Sequence, residues 1–371
     1  FILCLVLAGL LRYLLRQRIR YRRRIRSPQG IATDERVRIG GIDQFIQIRG
    51  QDRAKPVILF LHGGPGASEL PFAHLVQNEW ERHFVCVQWE QRGAGRTFRQ
   101  NDPQAILPTL TIETMVTDAV AVIDHVRRRL GQDRIFLHGH SWGSALGALV
   151  AKRVPEKLLA FIGEGQVVSM LRNEQASYDF TMDQARLRGE AEAVRALEGI
   201  GRPPYPPGTY MQRVVIQRKW LRAFGYGGTH KSGLGGRIFS GLYRPLLLCP
   251  EYSLADTLCW PKALGFTGTA FTTGKAEYLD FDLRPLGSRF EIPVFFFTGR
   301  LDYVTPCTVS ADYFREIDAP QKTLVWFENS AHSPQREEPE KYLREFLARV
   351  APLAQAPRPS PVMPVTKGHA P

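Results

Sequence analysis

The chain has 371 residues, of which 44% are hydrophobic and 23% charged, the composition of a folded globular protein rather than a disordered one. A net charge of +13 invites a nucleic-acid reading, but residues 1–26 alone hold eight arginines and no acid, which leaves +5 on the rest. The charge is one local feature, so a nucleic-acid partner is excluded.

That feature follows Phe1–Leu11, an almost unbroken apolar run extended by Tyr13-Leu14-Leu15. As a helix rising about 1.5 Å per residue it reaches about 22 Å, against a hydrocarbon core of roughly 30 Å. Phe1 is no initiator, so the span is expected to begin upstream of Phe1. Residues 1–26 therefore read as an N-terminal membrane anchor with a basic juxtamembrane stretch. The run Arg16–Arg26 is expected on anionic headgroups, with the body of the chain on the cytoplasmic side.

Val37–Ile39 and Ile42–Ile48 flank Gly40-Gly41 and predict an opening hairpin. Short apolar runs then alternate with helical patterns. Val57–Leu61 and Phe84–Gln88 predict strands; Thr111–Leu130 predicts a helix stopped by Gly131. Arg134–His138 is a strand, Trp142–Arg153 a helix and Leu158–Ile162 a strand. Strands apolar on both faces and alternating with helices imply a parallel sheet covered on both sides. The rhythm breaks over 168–285, which holds a proline cluster (Arg202–Gly208) and a glycine-rich stretch (Gly225–Gly236). It resumes with strands at Pro293–Phe297 and Thr323–Phe327 and a helix over Glu337–Val350. The expected organisation is a core over 35–167 and 286–350, a helical lid over 168–285, and a disordered tail over 351–371.

Five widely spaced cysteines (Cys4, Cys86, Cys249, Cys259, Cys307) lack a CxxC pair, so neither zinc nor a disulfide framework is expected, and a reducing compartment suits them. The chemistry is carried elsewhere. Gly139-His-Ser-Trp-Gly143 fits the nucleophile elbow G-x-S-x-G, placed between a strand and a helix. A serine hydroxyl needs a base, and the base needs a group that holds its tautomer. Asp302 and His332 each follow a late strand in the order serine, acid, histidine, and complete a candidate triad with Ser141. Asp282, Asp312 and Glu328 are competing acids; Asp312 falls in the helix and Glu328 too close to the strand end, so these two are read as surface or structural. The two oxyanion donors are expected from Trp142, after the nucleophile, and Gly64, in the glycine-rich loop His62–Gly66. His62 is read as a packing residue of that loop.

His-Gly-Gly-Pro-Gly, Glu-Gln-Arg-Gly-x-Gly, Gly-x-Ser-Trp-Gly-Ser, Gly-Arg-Leu-Asp and Ala-His-Ser-Pro together resemble the proline iminopeptidase branch (peptidase family S33) of the α/β hydrolases. The resemblance covers about 35–165 and 290–350. It implies an α/β-hydrolase fold, a mostly parallel eight-stranded sheet with a helical lid insertion. It also implies release of an N-terminal residue, often proline, from small peptides, without metal or cofactor. Glu90 stands where that family usually has Asp, and Thr97 where it usually has Ser. The family's lid motifs for the substrate amine find no match in 170–285. An aminopeptidase needs a carboxylate for that amine, and Glu164, at a strand end beside the elbow, is the candidate. Two other readings stay open: a triad enzyme acting on an ester, lactone or amide without a free amine, and a membrane-tethered non-catalytic binding module.

Overall fold

The computed structural model describes residues 2–206, 208–229, 242–273 and 278–355. Its eight strands are β1 (Ile31–Ile39), β2 (Ile42–Gly50), β3 (Val57–Leu61), β4 (Val85–Glu90), β5 (Ile135–His140), β6 (Leu158–Glu164), β7 (Val294–Gly299) and β8 (Lys322–Phe327). They form one sheet in the order β1-β2-β4-β3-β5-β6-β7-β8. The β1–β2 and β2–β4 pairs are antiparallel and every later pair is parallel. The expected hairpin is present and longer than predicted, with Ile39 opposite Ile42 across the two glycines.

Successive residues of a strand face opposite sides, and both sides of this sheet are covered. Val57, Leu59 and Leu61 pack with α2 (Ile112–Leu130) and α3 (Trp142–Arg153), following α1 (Ile2–Arg22) in the chain. Ile58 and Phe60 pack on the other face, under Tyr342 and Phe346 of the last long helix. Helix α2 begins and ends where its sequence dictates: the Thr111 hydroxyl accepts the Thr114 N–H, and Gly131 closes it at φ 64°.

Between β6 and β7 the chain forms α4 (Met170–Leu187), α5 (Ala191–Ile200), α6 (Tyr210–Ala223), a short helix at Arg244–Leu248, and α7 (Leu254–Thr273). Tyr178, Met182, Leu197 and Trp220 give this insertion a small core of its own. The part of the glycine-rich stretch from 230 onward lies outside the described residues. Helices α8 (Cys307–Glu316) and α9 (Pro339–Arg349) complete the fold.

Two findings concern the ends of the chain. Among the described residues no single helix is long and apolar enough to cross a membrane. Nor do all the arginines of α1 face outward. Arg12, Arg16 and Arg20 donate to the carbonyls of Leu247, Cys249, Pro250 and Tyr252. Arg23 is buried against Glu81 and Glu251. The carbonyls at a helix end have no partner within the helix, and a guanidinium fork satisfies several at once. At the other terminus, Ala351–Ala354 forms a 3₁₀ turn, and Leu353 packs against the core, so the expected tail does not begin at 351. Residues 356–371 lie outside the described residues.

Candidate active site

The turn from β5 into α3 is so tight that its flanking positions exclude any side chain. A Cβ on Gly139 would lie 2.2 Å from the Gly143 carbonyl oxygen, and one on Gly143 would lie 2.0 Å from that of Leu61. Ser141, between them, has φ 54° and ψ −123°, the one positive φ outside glycine among the described residues. Such a conformation costs of order 1–3 kcal/mol and persists only where the surroundings impose it. Here the Ser141 N–H donates to the Glu164 carbonyl at 2.9 Å, and the Ser144 hydroxyl donates to the Ser141 carbonyl at 2.5 Å.

Asp302 follows β7 and is fully buried. Its Oδ1 accepts the N–H groups of Val304 and Thr305, at 2.9 and 3.0 Å. Its Oδ2 accepts the Thr305 hydroxyl at 2.8 Å and faces His332 Nδ1 at 2.9 Å. Four donors around one carboxylate fix its orientation, and through it the imidazole. The ring packs over the turn after β6, where a Cβ on Gly165 would meet it at 3.0 Å. Ser141 is bonded to Glu164 in that same turn, so serine and imidazole flank one glycine. The ring's hydrogen bonds run to Asp302 and Thr305 and not to Ser141. Catalytic hydrogen bonds are often long in unliganded enzymes and tighten with substrate.

Gly64, at φ 116°, and Ser141 line one cavity of about 410 Å³. A Cβ on Gly64 would lie 2.6 Å from the nitrogens of Gly66 and Ala67, so this loop conformation belongs to glycine. Trp142 is the first residue of α3, where helical N–H groups have no partner within the helix. His62 supports the loop as expected: Nδ1 donates to the Gly63 carbonyl, and Nε2 accepts the Gln91 N–H. Burial lowers its pKa, which suits a neutral ring in that role. Glu90 joins Ser68, Arg96 and Tyr252 behind the same loop.

The competing acids stand apart. Glu328 pairs with Arg300 at the surface, Asp312 lies on α8, and Asp282 accepts the Arg284 N–H. Glu164 does not face the cavity. It is 2% exposed, with Oε1 accepting the Gln335 N–H and Oε2 lying 3.3 Å from His138 Nε2. The carboxylate on the cavity wall is instead Glu174, of α4. Its Oε1 accepts from Arg218 at 2.7 Å and from the Tyr210 hydroxyl at 3.0 Å. Burial first, and then the Glu174 charge, raise the Tyr210 pKa well above the usual value, so the phenol remains a donor. Beside it Asn173, 1% exposed, lines the cavity with neither side-chain atom hydrogen-bonded. A sequence signal for these residues exists: Asn173, Ser177 and Thr181 recur every four positions on the buried face of α4. Of the three, Asn173 faces the cavity, while Ser177 and Thr181 bond to Tyr303 and Gln217.

Residues 56–197 match the α/β-hydrolase-fold family. The chain is 28% identical to a probable aminopeptidase, YbaC, of Bacillus subtilis, over 85% of this chain and 95% of that one. It is 24% identical to a proline iminopeptidase of Heyndrickxia coagulans, over 82% and 93%. The proline iminopeptidase structure from Mycobacterium smegmatis superposes with a TM-score of 0.61 at 20% identity, over 87% of this chain and all of that one. Sheet order, elbow and relatives define a hydrolase of the α/β-hydrolase fold. Within that class, the relatives it resembles are named a probable aminopeptidase and a proline iminopeptidase.

Proposed function

We propose that the protein is a serine hydrolase that releases an N-terminal residue from small peptides, proline among the candidate residues, through an acyl-enzyme. The observation that carries the reading is the strained Ser141 beside the His332–Asp302 pair, on a cavity that also holds a carboxylate. In this reading His332 Nε2 takes the Ser141 proton as Oγ attacks the scissile carbonyl carbon. The oxyanion that forms accepts from the N–H groups of Gly64 and Trp142, each worth about 2.7–4 kcal/mol in such sites. His332 then gives its proton to the leaving amine, the C–N bond breaks, and water repeats the sequence on the ester. Asp302 keeps Nδ1 protonated and steadies the imidazolium. Glu174 would receive the substrate's ammonium, with Asn173 offering both a donor and an acceptor to the same end of the peptide. The insertion over 168–285 would act as the lid that walls this cavity.

A second reading has its own observation. Glu174 is already countered by Arg218, and much of the cavity wall is apolar, including Met170, Val214, Leu264 and Tyr278. This suits an ester, lactone or amide without a free amine. A panel of amino-acyl amides, each free and N-acetylated, separates the two. Under the aminopeptidase reading kcat/KM falls on the order of 100-fold on acetylation, because a buried carboxylate loses its partner. Indifference to acetylation removes that reading. Ser141→Ala is expected to abolish turnover of both. If a fluorophosphonate leaves wild-type Ser141 unlabelled, the non-catalytic binding module replaces both enzymatic readings.

We also infer that the apolar half of α1 seats the protein on a bilayer, with the catalytic body on the cytoplasmic side. Leu3, Val6, Leu7, Leu10 and Leu11 are each more than half exposed, so among the described residues this half-helix presents a largely uncovered apolar surface. A helix of that kind is solvated by hydrocarbon or by a protein core. Vesicle flotation is the test.

A further inference from the structure

The elbow pattern leaves its second position open, and here that residue is His140. Both of its ring nitrogens meet acceptors. Nδ1 lies 2.5 Å from Glu69 Oε1, and Nε2 lies 2.8 Å from the main-chain carbonyl oxygen of His332. A carbonyl oxygen only accepts, and so does an ionised carboxylate, so the ring needs a hydrogen on each nitrogen. With Glu69 ionised, the two contacts call for an imidazolium. Glu69 belongs to the stretch running on from the glycine-rich loop of Gly64, and His332 to the loop after β8. One cation therefore ties together the three loops that carry the oxyanion site, the serine and the imidazole. The His140 and His332 rings also lie 4.8 Å apart, centre to centre.

We propose that His140 is a positioning residue: doubly hydrogen-bonded to Glu69 and to the His332 carbonyl, it holds the main chain of His332 against the elbow so that the imidazole meets Ser141. This rests on the triad reading above. Glu69, Glu164, His62, His332 and Arg336 are the ionisable groups facing the pair. Burial alone lowers the His140 pKa, but Glu69 and then Glu164 outweigh it and push the value up to about 9. The carboxyl of Glu69 is held well below its usual range, burial notwithstanding, by the His140 charge and hydrogen bond. The folded-state pKa of His140 is raised above the unfolded value of about 6.5. The stability it contributes is therefore complete below about pH 6.5 and lost as pH rises through about 9. When the ring loses one hydrogen, the carboxylate is the stronger acceptor and keeps the other. The His332 carbonyl then loses its donor.

The test compares His140→Leu, His140→Gln/Glu69→Gln, Ser141→Ala and wild type. In the double variant two amides replace the ion pair, and one Gln nitrogen still reaches the His332 carbonyl without charge. His140→Leu is expected to lower kcat 10- to 100-fold, the scale of a misplaced catalytic group, with KM changed less than about threefold. The double variant is expected to recover kcat to within about threefold of wild type. Wild type should lose activity reversibly near pH 9, and the double variant should lack that step. Near-UV circular dichroism and the melting temperature check that His140→Leu is folded. A folded His140→Leu with kcat within twofold of wild type, or an alkaline step that persists in the double variant, overturns the proposal. Turnover surviving in Ser141→Ala overturns the triad reading instead.

Discussion

Ser141 sits in a turn that needs glycine two positions to either side, and because that spacing is local the elbow is legible in the sequence. Gly139 and Gly143 are required by clashes within one strand–turn–helix unit and with β3 alongside. Gly143→Ala would push a Cβ against the Leu61 and His62 carbonyls, at 2.0 and 2.8 Å, and main chain there has no room to retreat. It is expected to cost about 1–3 kcal/mol, read as a lower urea midpoint, together with loss of turnover. Gly199→Ala is the contrasting case: it lies in α5, exposed, with nothing within 4 Å of the new Cβ. It is expected to add about 0.5–1 kcal/mol. If the two changes prove equal, the steric account of the elbow fails. Glu164 shows where residue-level reading stops. It is next to the elbow, but its carboxylate turns to His138 and the Gln335 N–H, contacts made across 26 and 171 positions of chain. Proximity to Ser141 did not carry information about direction.

At the scale of elements, α2 is legible because a threonine cap, an apolar stripe and a terminal glycine are local devices. Helix α1 was legible as a helix but not in its contacts. Its arginines repeat every four positions (Arg12, Arg16, Arg20), which on a helix makes one face. That face meets the carbonyls that end the Arg244–Leu248 helix, more than 225 positions away. Arg16 reaches three of them, those of Cys249, Pro250 and Tyr252. Arg16→Ala is therefore expected to loosen both segments while leaving the sheet intact. Amide exchange in Ile2–Arg22 and 244–252 should quicken about tenfold, the discounted effect of losing charged hydrogen bonds that are partly open to water. Unchanged exchange in either segment would mean that the clamp is held by other contacts. The link has a consequence for the site, since the clamped segment leads directly into α7, one wall of the cavity.

At the scale of the whole molecule, the bilayer proposal turns on a half-helix whose leucines are more than half exposed among the described residues. The full chain is expected to float with phosphatidylcholine–phosphatidylglycerol vesicles. A Leu7→Asp/Leu10→Asp variant should stay at the bottom of the gradient, with turnover of a soluble substrate unchanged. Equal flotation of the two proteins would sink the idea. Arg18, Arg22, Arg24 and Arg26 remain exposed, so anionic vesicles should be preferred to neutral ones. The sequence by itself determined the strands and the helices that cover them, which follow from periodicity and from turn chemistry confined to a few neighbouring residues. The eight-stranded sheet and the candidate order of serine, acid and histidine rested on the likeness of its motifs to a known family. Only the tertiary structure decided which carboxylate faces the cavity, what the α1 arginines hold, and that His140 bridges two loops. Those outcomes depend on the direction of side chains brought together from distant parts of the chain, and no local pattern encodes a direction in space.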